Sequence, residues 1–359
     1  MLYLNRINNL RLKMKEMNVC AMYVSSPENV YYLSGFTGFG DGRLLITYLH
    51  AWIITDSRYT LQVAEQCPDY MLISGSAVNI STIESVLKEE NIKVLGFEDE
   101  IISYKDFEAL NSKYSNLSFK GIGNYFSDIR DIKDKCEVSF VSKACEIAYN
   151  SLNEILCLLK PGVCEIDIAT ELEYRMKKNG AQDRAFDTIV ASGSRSALPH
   201  GAASSKKIEF GDAVTIDFGC KFNNYCSDMT RTFFVGNPSD EMKKIYNIVY
   251  DAQMAALEGY KSGITGKELD SISRNIITKA GYGPLFGHSL GHGVGLEVHE
   301  GATIGPGNNN IIRNNTIFSI EPGIYVENLG GVRIEDLVFV DDDNLINFTD
   351  KFDKKMLVL

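Results

Sequence analysis

Long apolar runs are missing from this sequence. Nowhere does it reach the roughly 18 consecutive apolar residues of a membrane span, so no membrane partner is expected. An excess of basic residues is missing too. With 36 Lys and Arg against 47 Asp and Glu, the formal net charge is -11. That argues against nucleic acid as a partner, because phosphate binding needs a basic face. No Cys-x-x-Cys pair occurs. The eight cysteines, Cys20, Cys67, Cys136, Cys145, Cys157, Cys164, Cys220 and Cys226, sit mostly in apolar stretches. They read as reduced, buried thiols of a cytoplasmic protein rather than a disulfide framework. The N-terminal segment places Arg and Lys among apolar residues at helical spacing. It has neither the apolar core nor the small-residue cleavage site of a signal peptide. The single tryptophan, Trp52, lies in a strand-like run and is read as packing.

What is present is an ordinary globular composition, 45% hydrophobic and 23% charged, over 359 residues. That length exceeds what one hydrophobic core usually organises, so two domains are expected. Residues 1–126 read as an α/β unit. Strand-like runs fall at 21–24, 44–47, 51–55 and 94–97, with helical patterns at 58–66 and 82–90. A short charged segment at 127–135 then leads into a long amphipathic helix over about 137–159, and the second domain is expected to span 127–359.

The second domain carries a faint internal repeat. Lys160, Gly162 and Gly180 recur at one constant offset as Lys261, Gly263 and Gly281. Each set brackets an expected helix, 166–178 and 267–280, and each helix ends at a glycine suited to a left-handed cap. Thr265 and Glu268 have the spacing of a capping box. Acids recur in equivalent places: Asp217 in TIDFG and Asp228 in SDM in the first half, Glu321 in SIEPG and Glu335 in IED in the second.

Asp217 lies in the apolar run 213–218, where a carboxylate must be paired, protonated or metal-bound. The residues Phe222-Asn223-Asn224-Tyr225 suit a two-residue hairpin turn. That register sets Asp217 opposite Thr230 and Asp228 opposite Gly219. The two acids become diagonal neighbours on one face, with Cβ atoms about 7 Å apart or less. The run from Gly287 to Glu300 then places His288, His292 and His299 among glycines that permit close approach. Glu321 and Glu335 also sit in strand-like apolar settings. Four such acids need compensation, and two divalent cations would balance their charge.

The ordered set TIDFG, SDMTRT, GHGVGLEVHE, SIEPGIYV and GVRIEDLV resembles the signature of the M24 metallopeptidases, and within them the Xaa-Pro aminopeptidase and Xaa-Pro dipeptidase branch. The resemblance implies an α+β catalytic domain of the pita-bread fold with a pseudo-twofold repeat, preceded by a smaller creatinase-type α/β domain. It also implies five metal ligands, Asp217, Asp228, His292, Glu321 and Glu335, with no substitution among them. His200 in ALPHG and His299 match further active-site histidines, expected to hydrogen-bond substrate or intermediate. Glu321 is expected to shuttle a proton as well. Mostly oxygen donors with one imidazole suit Mn2+, with Co2+, Fe2+ or Zn2+ also able to bind. Arg333, two residues before Glu335 and on its strand face, is a candidate to bind substrate or to hold a ligand carboxylate. Phe186 and Tyr225 are candidates for the pocket wall.

The implied activity is cleavage before a second-position proline, on proline-containing peptides, by a homodimer. An arginine that family dipeptidases often carry near His299 is replaced by Ala302 and Thr303. That difference favours an Xaa-Pro aminopeptidase, with an Xaa-Pro dipeptidase as the alternative. A metal-free creatinase-like amidinohydrolase or a non-catalytic peptide-binding protein would be expected to have lost ligands that this chain retains.

Overall fold

The computed structural model describes residues 2–75, 83–114 and 116–359. The chain divides into two compact units between Phe126 and Ser127.

The first unit is built on a mixed six-stranded sheet. Across it run Met71–Ser74, Ala51–Thr55, Arg43–Thr47, Ala21–Val24, Val94–Phe97 and Ser118–Gly121. The four inner strands are those whose apolar residues the sequence displays, and Ala21, Leu45, Ile54 and Leu95 form its buried core. The two outer strands carry no comparable signal. Ser118–Gly121 has no buried residue and alternates exposed with half-buried positions, because an edge strand packs against neighbours on one side only. The expected helix over 82–90 is Glu84–Glu89; Thr82 lies outside the described residues. The pattern at 58–66 resolves into a tight turn, Ser57–Tyr59, and the helix Thr60–Gln66.

The second unit is α+β and internally repetitive. Its first half sets helices Lys135–Ile155 and Glu165–Lys178 against a sheet in which Ala213–Phe218 lies between Ile189–Ser192 and Met229–Phe234. Its second half sets Asp240–Gly259 and Gly266–Lys279 over the strands Ile317–Ile320, Gly323–Val326, Gly330–Arg333 and Asp336–Asp341, with Glu321 in the gap between the first two. Each half has its own apolar core, one around Ala148, Leu172 and Ile216, the other around Val249, Leu269 and Ile334. The long first helix stops at Ile155, four residues before its expected end, and tightens into Leu156–Leu158. Both Thr265–Glu268 and Asp134–Glu137 form reciprocal capping boxes. The repeated glycines have one physical cause. Gly162, Gly263, Gly180 and Gly281 all adopt positive φ, at 91°, 83°, 108° and 91°, a conformation that costs glycine nothing sterically.

Candidate active site

The hairpin that carries the first two acids has the register its turn dictates. Phe222 pairs with Tyr225 and Lys221 with Cys226, while Asn223 and Asn224 take positive φ of 46° and 65°, as a twist-matched two-residue turn requires. Further along, Thr230 stands opposite Asp217, so no bulge intervenes. Asp217 and Asp228 therefore share a face.

The second half meets that face edge-on. The Glu335 amide donates to the Thr230 carbonyl at 3.1 Å, and the Thr230 hydroxyl donates to Glu335 Oε2 at 2.7 Å. His292 enters from the short strand Gly291–His292, its amide donating to Ser319 Oγ at 3.0 Å. Ser319 Oγ in turn donates to Glu321 Oε1 at 3.0 Å. His292 Nε2 lies 3.2 Å from Glu321 Oε1 and 3.6 Å from Asp228 Oδ2. Asp228, His292 and Glu335 each present a ligand atom within 4.8 Å of the others.

All five sequence-derived ligands line one cavity of about 1010 Å³, together with His200, His288, His299, Tyr325 and Arg333. Phe186, Pro284, Leu285 and Val298 form its apolar wall. Tyr225 is instead part of the buried core and donates to Glu137 Oε1 at 2.9 Å. The two rings His292 and His299 lie 3.9 Å apart between centroids. Arg333, which the sequence offers to substrate or to a ligand carboxylate, is taken up by the second. It donates from Nη2 to Asp217 Oδ2 at 2.7 Å, from Nε to Thr230 Oγ1 at 3.1 Å and from Nη1 to Tyr325 OH at 2.8 Å.

The electrostatics identify what the cluster is built to hold. Burial raises the Asp228 carboxyl well above its ordinary range, and the charges of Asp217 and Glu321 raise it further. Glu335 is raised in the same way by burial and by Asp228. Burial also raises Asp217, although Arg333 opposes it. Burial would raise Glu321 too, but its hydrogen bond to His292 keeps it low. His292 responds in kind. Burial alone would lower it, yet Glu321 and Asp228 push it up to about 9. Such a set of acids is poorly compensated by protein cations alone. Asp217 Oδ1 is moreover buried and accepts no hydrogen bond, although a buried carboxylate oxygen normally finds a partner. Hard oxygen donors, one imidazole and an orphaned carboxylate oxygen fit divalent cations.

Three supporting groups escaped the sequence reading. Ser319 and Tyr325 stand in SIEPGIYV but lack the charge that marked their neighbours. Glu300 was visible as an acid beside His299, but its partners are far away in sequence.

Comparison with known proteins is consistent along the chain. Residues 139–342 match the model of metallopeptidase family M24, and residues 6–132 match the creatinase/prolidase N-terminal domain. An Xaa-Pro dipeptidase of Pyrococcus furiosus is 41% identical, over 98% of this chain and 99% of that one. Among solved structures, an Xaa-Pro dipeptidase from Bacillus anthracis superimposes with a TM-score of 0.94 at 39% identity, covering 99% of this chain and 100% of the other. An X-Pro aminopeptidase from Thermotoga maritima gives 0.92 at 39% identity, covering 98% and 99%.

Proposed function

This chain belongs to metallopeptidase family M24, and we propose that it is an Xaa-Pro dipeptidase, hydrolysing the bond between an N-terminal residue and a C-terminal proline. The observation that carries this reading is the near full-length match, at 41% identity, to a protein named for that activity. The aminopeptidase reading drawn from Ala302 and Thr303 becomes the second one. It keeps the support of those two residues and of the X-Pro aminopeptidase fold match.

In this proposal Asp217, Asp228, His292, Glu321 and Glu335 hold two divalent ions, with Mn2+ favoured by the donor set. When bound, such a pair supplies Lewis acidity and acidifies water near neutral pH. The residues of the chain do the rest. Arg333 orients Asp217 through the 2.7 Å ion pair, leaving Oδ1 without a hydrogen bond. Glu321, held ionised by His292, accepts a proton from water and passes it towards the departing proline nitrogen. His200 and His299, on the cavity wall, donate hydrogen bonds to the substrate and to the developing oxyanion. The apolar wall at Phe186, Pro284, Leu285 and Val298 suits a pyrrolidine ring. A proline amide offers no N–H, so a site that recognises it must do so by shape. A homodimer and a cytoplasmic setting complete the proposal, the first resting on family resemblance and the second on cysteine usage.

The deciding experiment compares Xaa-Pro with Xaa-Pro-Yaa as substrates, using metal-stripped protein before and after adding Mn2+. Restored cleavage of the dipeptide alone is expected. Restored cleavage chiefly of the tripeptide would establish the aminopeptidase instead, and cleavage of neither would remove both readings.

A further inference from the structure

Glu300 follows His299 in the bend after His292, and its side chain is only 4% exposed. One carboxylate oxygen accepts from the Arg130 guanidinium, and the other accepts from Lys133 Nζ at 2.9 Å. Both cations are as enclosed as the acid. Arg130 also donates to Glu297 Oε2 at 2.7 Å, and Lys133 Nζ donates to the Arg130 carbonyl at 2.6 Å. Asp131, between them in sequence, accepts from the Ala302 amide at 2.9 Å. One short segment therefore grips the bend at residues 297, 300 and 302, on both sides of His299.

The bend is also closed from within. The Glu300 amide donates to the Gly293 carbonyl at 2.9 Å, the Gly293 amide to the Ala302 carbonyl at 2.6 Å, and the Glu297 amide to Glu300 Oε2 at 3.1 Å. A Cβ on Gly293 would meet the Glu300 carbonyl oxygen at 2.0 Å, and one on Gly295 would meet Glu300 Oε1 at 2.0 Å. The glycines of this motif are thus a mould for Glu300 as well as an approach to the acids. Three charges withdrawn from water are tolerable only in an arrangement that pairs all of them. That leaves the bend one low-energy position.

We infer that Glu300, gripped by Arg130 and Lys133, is the positioning residue for His299. The buried ion cluster fixes where that ring stands, 3.9 Å from the His292 ring between centroids. This rests on the reading in which His299 contacts substrate. It assigns a task to three charged residues that touch neither substrate nor ligand acids.

The test uses full-length Glu300→Gln, which keeps the shape of the side chain and removes its charge. In metal-free protein, amide hydrogen exchange over residues 293–302 is expected to quicken by about tenfold or more, with the rest of the chain unchanged. In Mn2+-loaded protein, kcat for Xaa-Pro is expected to fall roughly 10–100-fold, with KM and bound metal per chain little altered. The same substitution placed on His299→Ala should cost almost nothing further, because it acts through that ring. Losses that add in the double variant, or a lowered melting temperature with kcat per metal-loaded chain intact, would overturn the inference. If Glu300→Gln does not fold, Arg130→Lys gives the same comparison with the charge retained and the fork removed. A wild-type protein unable to cleave Xaa-Pro would defeat the functional reading, while the exchange measurement would still decide whether the clamp exists.

Discussion

Arg333 Nη2 lies 2.7 Å from Asp217 Oδ2, and the second oxygen of that carboxylate accepts no hydrogen bond. The same guanidinium reaches Thr230, which donates to Glu335. One cation therefore orients two acids contributed by different halves of the domain. Replacing it with Met should weaken divalent-metal binding about 10–100-fold, since groups that orient ligands typically matter on that scale. Arg333→Lys should fall between, because an ammonium keeps the charge but not the fork. Competition with a chelating dye measures both, and unaltered affinity in Arg333→Met would remove the orienting role.

Asp228→Asn should act with opposite sign in the two states of the protein. Without metal, Asp228 is an acid crowded by burial, Asp217 and Glu321. Neutralising it relieves repulsion and should raise the melting temperature by roughly 1–3 °C. With metal, the same change should abolish most of the stabilisation that the ion confers. Calorimetry with and without chelator separates the two. Equal destabilisation in both states would contradict the like-charge account.

Acid should act on two clusters in opposite directions. Burial would raise Glu300, but Lys133 and Arg130 hold it at about 2, against 4.5 for an ordinary glutamate. Below pH 4.5 the unfolded chain takes up this proton while the folded chain does not. The stabilisation is therefore complete above pH 4.5 and lost as pH falls towards 2. Asp228 and Glu335 are raised instead, so metal-free protein gains stability as pH falls through their elevated range. Urea midpoints of metal-free wild type and Glu300→Gln against pH are the measurement. Their difference should shrink between pH 4.5 and 2 and stay constant above.

His299→Ala should lower kcat roughly 100–1000-fold if the ring donates to a developing oxyanion. Bound metal should be unchanged, because His299 is not among the five proposed ligands. Metal titration followed by steady-state kinetics checks this, and a parallel loss of metal would move His299 into the ligand set.

The site was legible in the sequence where chemistry is unusual for its surroundings. Asp217 in an apolar run and Asn223-Asn224 between two strands together carry enough local information to pair Asp217 with Thr230, and that pairing is present. The repeat was legible because left-handed backbone at Gly180 and Gly281 selects the same residue twice. What was not legible depends on encounters distant in sequence. Nothing local in Arg130 or Lys133 announces Glu300, and nothing in Thr230 announces Glu335. Edge strands such as Ser118–Gly121 were missed for a different reason, since half-exposed residues leave no periodic apolar mark. The choice of aminopeptidase over dipeptidase rested on Ala302 and Thr303 alone, and the near full-length matches to Xaa-Pro dipeptidases favour its alternative.

The unbroken register of the Asn223-Asn224 hairpin makes the interval between Asp217 and Asp228 a gauge that counts in pairs. Lengthening both strands by one residue each beyond the acids carries the turn outward and leaves Asp217 and Asp228 diagonal neighbours on one face. Adding a single residue to one strand between them would turn one carboxylate to the far side of the sheet, unless a bulge absorbed it. Insertions and deletions near the tip of this hairpin therefore preserve the pair of acids only when they arrive symmetrically, and the turn itself keeps residues that accept positive φ.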